Sequence, residues 1–472
     1  MGVTPVRGLR RGAAVWILAA EGFASLSVEV LALRRMVPYV GSPVPVTSIL
    51  LAAYLAALAW GYHRGQRAAQ RLAAATPAPE LPGALRRAAA NRLATAAVAS
   101  AIATGDIAPA LVFGIAGSWT TAAVAVYSTL CIAPIGMLLA ESILLIDPLR
   151  RDDDGRRQTG TTLGLSTAGN VAGALLTAWV VLAAVGTAGA TALIALVLSA
   201  AAWTAFPKAL PIGAAAFMAV LLGAYWTNDQ RLYLARTAYA DYELLEVPAE
   251  QARVLSVNRS SSSRDDPDGK GHPYIEAIET ALCNRGIREV AVLGAAGRTL
   301  GRDAGCLLRP TFVDIDPAQG KLSGRLLFGP PAGPLVVADA RAWLRAQKRR
   351  WPAIVADAYS HRTSLPTHLA TIEFYQRVRD TLVDGGTAIF NVISLPRQQA
   401  FRTRTDRSIR TVFADCETLS VAVLADGAAA WAAADDEQTD NVLYRCVRGA
   451  LDGDRTIYSD RLQRIDNDRG LR

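Results

Sequence analysis

Between Ala13 and Trp226 the chain is a succession of long apolar runs, and from Asn228 onward that pattern stops. A bilayer's hydrocarbon core takes about 20 apolar residues per helical crossing. Runs that meet this length fall at residues 13–33, 44–62, 93–115, 119–145, 161–185, 188–204 and 209–226. The pattern predicts a multi-pass helical bundle over 1–227, about seven spans, followed by a separate domain over 228–472. The first run is too long for a cleaved signal and contains Glu21 and Glu29.

Arginines gather before the first run (Arg7, Arg10, Arg11), after the second (Arg64 to Arg92) and after the fourth (Arg150, Arg151, Arg156, Arg157). All three groups can share one side, which the positive-inside rule makes cytoplasmic. The expectation is a protein of the inner (cell) membrane with its N-terminus in the cytoplasm. Seven crossings from there deliver the C-terminal half outside. Either one segment does not cross, the weakest being 93–115 with Asp106 and Pro109 and the short pair flanking Lys208, or that half faces outward. The side is left open. Glu21 and Glu29, eight apart on one helical face, imply either interhelical bonding or a solute position. Gly164, Gly169 and Gly173 offer small surfaces for close helix approach, and Pro134 with Gly136 predicts a kink.

The formal charge of +8 is mostly arginine lying between apolar runs. That suits a lipid bilayer as partner, and with no basic stripe interleaved by aromatics no nucleic acid is expected. Of five cysteines, none stands in a metal-ligand spacing. Small buried thiols in a reducing compartment, with no metal site, are expected.

The C-terminal half alternates strand and helix signals. Strands are predicted at 242–247 and 252–257 as a hairpin, then at 289–293, 310–314, 334–338, 353–357, 386–393, 417–424 and 441–447. Helices are predicted from near Pro273, between the strands of 289–314, and at 340–350 and 371–382. The serine-rich stretch Arg259 to Gly269 reads as a loop. Such alternation predicts a mostly parallel, doubly wound sheet, with ligands at the carboxyl ends of its strands. Glu289 to Pro317 is the centre of this reading: a short apolar strand, a turn of small residues (Gly294, Ala295, Ala296, Gly297), and a second strand ending on Asp314. A small-residue turn admits a nucleoside to the backbone, and an acid at the second strand's end can hold ribose hydroxyls. Asp339 and Asp357 close two further strands, where helix N-capping is an alternative role.

These blocks resemble the spermidine synthase (polyamine aminopropyltransferase) family in its membrane-fused branch. The resemblance runs through Val292-Leu293-Gly294, Val313-Asp314-Ile315-Asp316-Pro317, Ala338-Asp339-Ala340-Arg341, Asp357-Ala358-Tyr359-Ser360, Leu365 to Tyr375 and Asp384-Gly385-Gly386. It implies a Rossmann-like domain of the S-adenosylmethionine-dependent methyltransferase type behind a small hairpin. It also implies a co-substrate, decarboxylated S-adenosylmethionine or S-adenosylmethionine itself, without a prosthetic group, and a small amine or polyamine as acceptor. Gly294, Gly297, Asp314, Asp339 and Ala340 would then surround the adenosyl group. Asp357 would deprotonate the amine, with Tyr274 and Tyr359 lining its pocket. Arg298 would set a cation against a sulfonium unless it points away. Ile275 stands where the family has a polar residue, and Ser360 where it often has a second acid. A methyltransferase on the same fold and a non-catalytic transporter or sensor are the alternatives, and a homodimer is an open one for assembly.

Overall fold

The structure is a computed structural model and describes residues 11–41, 44–117, 120–150, 158–207, 212–302, 305–359, 365–394, 398–421 and 440–448. The chain divides into two compact units, Met1–Arg231 and Leu232–Leu471.

The first unit is helical: α1 (Arg11–Val40), α2 (Val44–Ala75), α3 (Leu81–Ala103), α4 (Ile107–Ala116), α5 (Thr121–Val126), α6 (Ala133–Ile146), α7 (Thr159–Leu176), α8 (Leu182–Ala205) and α9 (Ile212–Leu232). Short π-helical turns join α5 to α6 and α7 to α8. Among the described residues four helices are long and apolar enough to cross a membrane: Arg11–Val40, Val44–Ala75, Thr121–Leu149 and Thr159–Ala205. The pair α3–α4, bent by 59°, makes a fifth if it forms one span. Each apolar run of the sequence overlaps a helix, but the runs and these helices do not correspond one to one. Runs 161–185 and 188–204 share the 47-residue helix Thr159–Ala205, which breaks at Gly186 (φ 64°, ψ −169°). Run 93–115 spans the bend, and run 209–226 overlaps α9.

Glycines determine which helices touch. A Cβ on Gly22 would lie 2.0 Å from the carbonyl oxygen of Ser166, and one on Gly169 would lie 2.3 Å from that of Ala19. Gly173 meets Phe23 in the same way. Residue numbers rise together along both helices, so α1 and α7 run parallel. Close approach of this kind is how helices pack where lipid removes the hydrophobic drive. Ser166 Oγ donates to Glu21 Oε2 at 2.7 Å, and Thr177 Oγ1 contacts Ser27 Oγ at 2.7 Å. Of the two readings of Glu21, the interhelical bond is therefore present. Gly164 has open space around it and takes no part. Gly169→Val is expected to destabilise the bundle by about 1–3 kcal/mol, the range for overpacking a filled core. Thermal unfolding of the full chain in detergent measures this, with Gly164→Val as the neutral control.

The second unit begins with an antiparallel sheet, β1 (Ala235–Arg236), β2 (Asp241–Val247), β3 (Ala252–Val257) and β4 (Ser260–Asp265), in that order. The predicted hairpin is β2–β3, but the serine-rich stretch is a strand and not a loop. Asn258 and Arg259, at φ 50° and 64°, form the tight turn that folds β4 back onto β3. Ser263 and Asp265 point inward and are buried, so polar contacts rather than apolar area hold this strand.

Next come α10 (Pro273–Asn284), β5 (Glu289–Leu293), β6 (Arg309–Asp314), α11 (Gln319–Leu326), β7 (Leu335–Val337), α12 (Ala340–Ala346), β8 (Trp351–Ala356), α13 (Ile372–Thr381), β9 (Leu382–Ser394), α14 (Gln399–Val412), β10 (Asp415–Val421) and β11 (Asp440–Val447). The seven-stranded sheet has the order β10-β11-β9-β8-β5-β6-β7. From β7 to β9 neighbouring strands are parallel, and β11 inserts antiparallel between β9 and β10. Apolar layers fill both faces, as a doubly wound sheet requires. This is the predicted fold class. Residues 422–424 of the strand expected at 417–424 lie outside the described residues.

Two expectations fail here. No helix forms between β5 and β6 among the described residues. Ala296, Arg298, Gly301 and Gly305 all have positive φ, which no right-handed helix accommodates. The cysteines of this unit are not separate thiols. Cys283, at the end of α10, is bonded to Cys306 before β6, and Cys416 to Cys446. The latter two sit directly opposite each other on β10 and β11. Cys131 is free.

Candidate active site

Strand order changes direction at β5: β6 and β7 lie on one side, β8 and β9 on the other. The crevice at such a switch point is where doubly wound sheets take ligands. Gly294 follows β5 and Asp357 follows β8 at the same rim, with Asp314 closing β6 and Asp339 two residues beyond β7. Parallel pairing places all four there without any special loop.

Gly294, at φ 97°, lets the two strand ends approach. A Cβ there would lie 2.2 Å from the carbonyl oxygen of Asp357. Gly297 also permits contact, but with protein: its N–H donates to Ser263 Oγ at 2.9 Å, and a Cβ would strike Leu326. The turn's glycines thus have packing reasons of their own.

Asp314 is held by its own loop. Its Oδ2 accepts from Ala295 N and its Oδ1 from Asp316 N, each at 2.9 Å. Burial raises its pKa above the usual carboxylate value, and the backbone N–H groups of Asp316 and Ala295 partly oppose that. Asp339 caps α12 through Ala342 N at 2.8 Å, while its Oδ2 pairs with His368 Nε2 at 3.0 Å. The capping alternative is therefore present, and the 365–375 block returns to this rim through His368. Ala340, the first residue of α12, is buried against the sheet.

Asp357 is the most elaborated of the three. Tyr274 Oη donates to Oδ2 at 3.0 Å, and Asn391 Nδ2 to Oδ1 at 2.8 Å. Burial raises the Asp357 pKa against both hydrogen bonds. Burial and the neighbouring carboxylate together push the Tyr274 phenol well above its usual value, so it stays a donor. Tyr359 supports this arrangement from below. Its hydroxyl donates to the Asn391 carbonyl at 2.8 Å and accepts from Ile393 N at 2.9 Å. Tyr359 therefore fixes the end of β9, a positioning contact.

Asn391 was not singled out from sequence. The available signal was one amide inside the apolar run Ala388 to Ile393. It is 3% exposed, and its Oδ1 has no hydrogen-bond partner among the described residues. A buried, unpaired acceptor beside a carboxylate asks for an N–H from elsewhere. Arg298 does point away: its guanidinium reaches Ser323 Oγ at 2.8 Å and the carbonyls of Gly333 and Gly320. Ile275 is buried in the layer beneath β5, and Ser360 lies outside the described residues.

The seven-stranded, mostly parallel sheet with acids at successive strand ends is a doubly wound, Rossmann-like α/β fold. Within it, the sequence of this half is similar to the spermidine synthase (polyamine aminopropyltransferase) family. The chain is 26% identical over 209 residues to a probable polyamine aminopropyl transferase of Bifidobacterium longum, covering 42% of this chain and 46% of that one. The chain thus spans about half the length of that curated relative. No protein-family model matches. Among solved structures, a probable spermidine synthase from Corynebacterium glutamicum is similar at 17% identity and a TM-score of 0.38, over 46% of this chain and 79% of that one. A spermidine synthase in complex with the transition-state analogue AdoDATO gives 15% and 0.35, over 50% and 87%. Human methyltransferase-like protein 13 with SAH gives 13% and 0.28, over 42% and 87%.

Proposed function

We propose that the second unit transfers an aminopropyl group from decarboxylated S-adenosylmethionine to a small amine, and that the first unit embeds the protein in a cell membrane. The observation that carries the reaction is the Asp357 carboxylate, bonded by Tyr274 and Asn391 at the switch point. The resemblance of the motifs that carry Tyr274, Asp314, Asp339 and Asp357 to those of aminopropyltransferases supports the donor assignment.

The chemistry follows from charge. The acceptor nitrogen's lone pair attacks the donor's methylene carbon, and the carbon–sulfur bond breaks. The bonding pair returns to sulfur, which leaves as a neutral thioether without an acid. The new ammonium must lose one proton, and Asp357 accepts it. The raised pKa of Asp357 brings it nearer to the amine's than an exposed carboxylate would be. The Asn391 Oδ1, buried with no hydrogen-bond partner among the described residues, would accept a second amine N–H. Asp314 would take the ribose hydroxyls, and Asp339 with Ala340 the adenine edge; Gly294 and Gly297 would border the nucleoside.

The test is turnover by the full chain in lipid nanodiscs with each of two donors and a panel of diamines, read by mass spectrometry. Consumption of the decarboxylated donor with release of its thioether is expected. Consumption of S-adenosylmethionine alone would replace the proposal with methyl transfer, and binding without turnover would replace it with a nucleoside sensor.

A further inference from the structure

The contacts inside the helical unit fix which end of each helix lies at which end of the bundle. The residues Arg92 of α3 and Glu141 of α6 pair at 2.5 Å, while Tyr127 Oη, just after α5, donates to the Ala103 carbonyl at 2.8 Å. The α5–α6 segment therefore runs opposite to α3. Arg86 reaches the Ala205 carbonyl at 3.0 Å, and Thr104 Oγ1 contacts Thr191 Oγ1 at 3.2 Å, so α8 also runs opposite to α3. Arg35, near the end of α1, holds the Thr104 carbonyl and Asp106 at the end of α3. The helices α1 and α3 thus finish together, and α7 runs parallel to α1. The helix α2 runs with α6, since Gly65 abuts Glu141 and Gly136 abuts Tyr54.

One end accordingly holds the start of α1, the end of α2, the start of α3, the end of α6, the start of α7 and the end of α8. The last helix, α9, begins seven residues after α8 ends there. Tyr225, thirteen residues into α9, lies against Gly105 beside Asp106, at the other end. The segment therefore traverses the bundle, and the chain leaves at the end opposite its start. Counting α3–α4 as one, the number of traverses is odd.

Charge says which end is which. At the starting end stand Arg11, Arg64 to Arg92 and Arg150; at the other, the described residues from Met36 to His63, from Thr104 to Thr120 and from Thr177 to Ala190 include no lysine or arginine. Arg34, Arg35 and Arg231, the last six residues beyond Tyr225 on α9, are the exceptions; Arg34 and Arg35 are buried, and Arg35 is paired with Asp106. By the positive-inside rule the starting end is cytoplasmic. Independently, four cysteines of the second unit are joined as two disulfides, a pairing that persists in oxidising compartments and is rare in the cytosol.

We infer that the second unit, with its Asp357 site, faces the oxidising, extracytoplasmic side of the membrane. This goes beyond the transferase proposal and does not rest on it. A site on that face takes both ligands from outside. The class of step that supplies it is export or release of an adenosyl compound, since a charged sulfonium does not cross lipid unaided.

The experiment expresses the full chain with alkaline phosphatase, active only outside, or green fluorescent protein, fluorescent only inside, at the C-terminus. Active phosphatase and loss of fluorescence are expected. In parallel, the untagged protein is denatured without reductant and alkylated with a maleimide-polyethylene glycol. One mass step, from Cys131, is expected, and five after reduction. A fluorescent C-terminus, or five steps without reductant, overturns the inference whatever the donor assay shows. Loss of turnover with the predicted topology would sink the transferase proposal alone.

Discussion

Asp357→Asn is expected to lower kcat by about 10²-fold or more, the usual contribution of a positioned general base, while the donor's Kd changes little. The asparagine keeps the shape and can still meet Tyr274 Oη, but it cannot accept a proton from an ammonium. Isothermal calorimetry for the donor, with single-turnover kinetics for the chemical step, separates the two effects. An equal loss of donor affinity would show that Asp357 binds rather than reacts. In the parent, activity rises as pH climbs through the raised Asp357 pKa, because the base must be ionised. Tyr274→Phe removes a hydrogen bond that favours the ionised form, so this acid limb is expected to move to higher pH.

The second large effect is structural. Asp265, at the end of β4, is fully buried, paired with Arg302 in the β5–β6 loop, and accepts from Phe328 N at 2.7 Å. Three segments of the second unit thus converge on one carboxylate. Removing one partner of a buried pair leaves the other charge uncompensated, which costs about 3–5 kcal/mol. Asp265→Ala is expected to destabilise the unit by that amount in denaturant titration. The double variant with Arg302→Met should recover much of it. No recovery would show that the Phe328 bond, and not the charge pair, dominates.

Asp265 also shows where the sequence was hard to read. Its strand consists of serine, arginine and aspartate, with none of the β-branched or aromatic residues that favour strands, and only the burial of Ser263 and Asp265 against other segments makes it one. The parallel strands were legible because each is a short apolar run ending in a small residue or an acid, and strand position alone brings those ends to one rim. The β5–β6 connection was misread as helical because the positive φ of Ala296 and Arg298 leaves no composition signal. The disulfide partners are 23 and 30 residues apart, and separation alone does not distinguish a pair from two buried thiols. Asn391 and Tyr359 act through partners more than thirty residues away in the chain, which periodicity does not reach.

The parallel contact between α1 and α7 bears on the order of synthesis. The surfaces that fit Gly22 and accept Ser166 at Glu21 are separated by 145 residues of chain. At usual elongation rates the ribosome takes on the order of ten seconds to make that length. Throughout that interval α1 carries its two glutamates with α7 not yet made. Whatever shelters Glu21 in the meantime, whether the insertion machinery or the cytoplasmic vestibule of the nascent bundle, is released only when α7 arrives. A helix made 145 residues before its partner is thus locked only when that partner arrives.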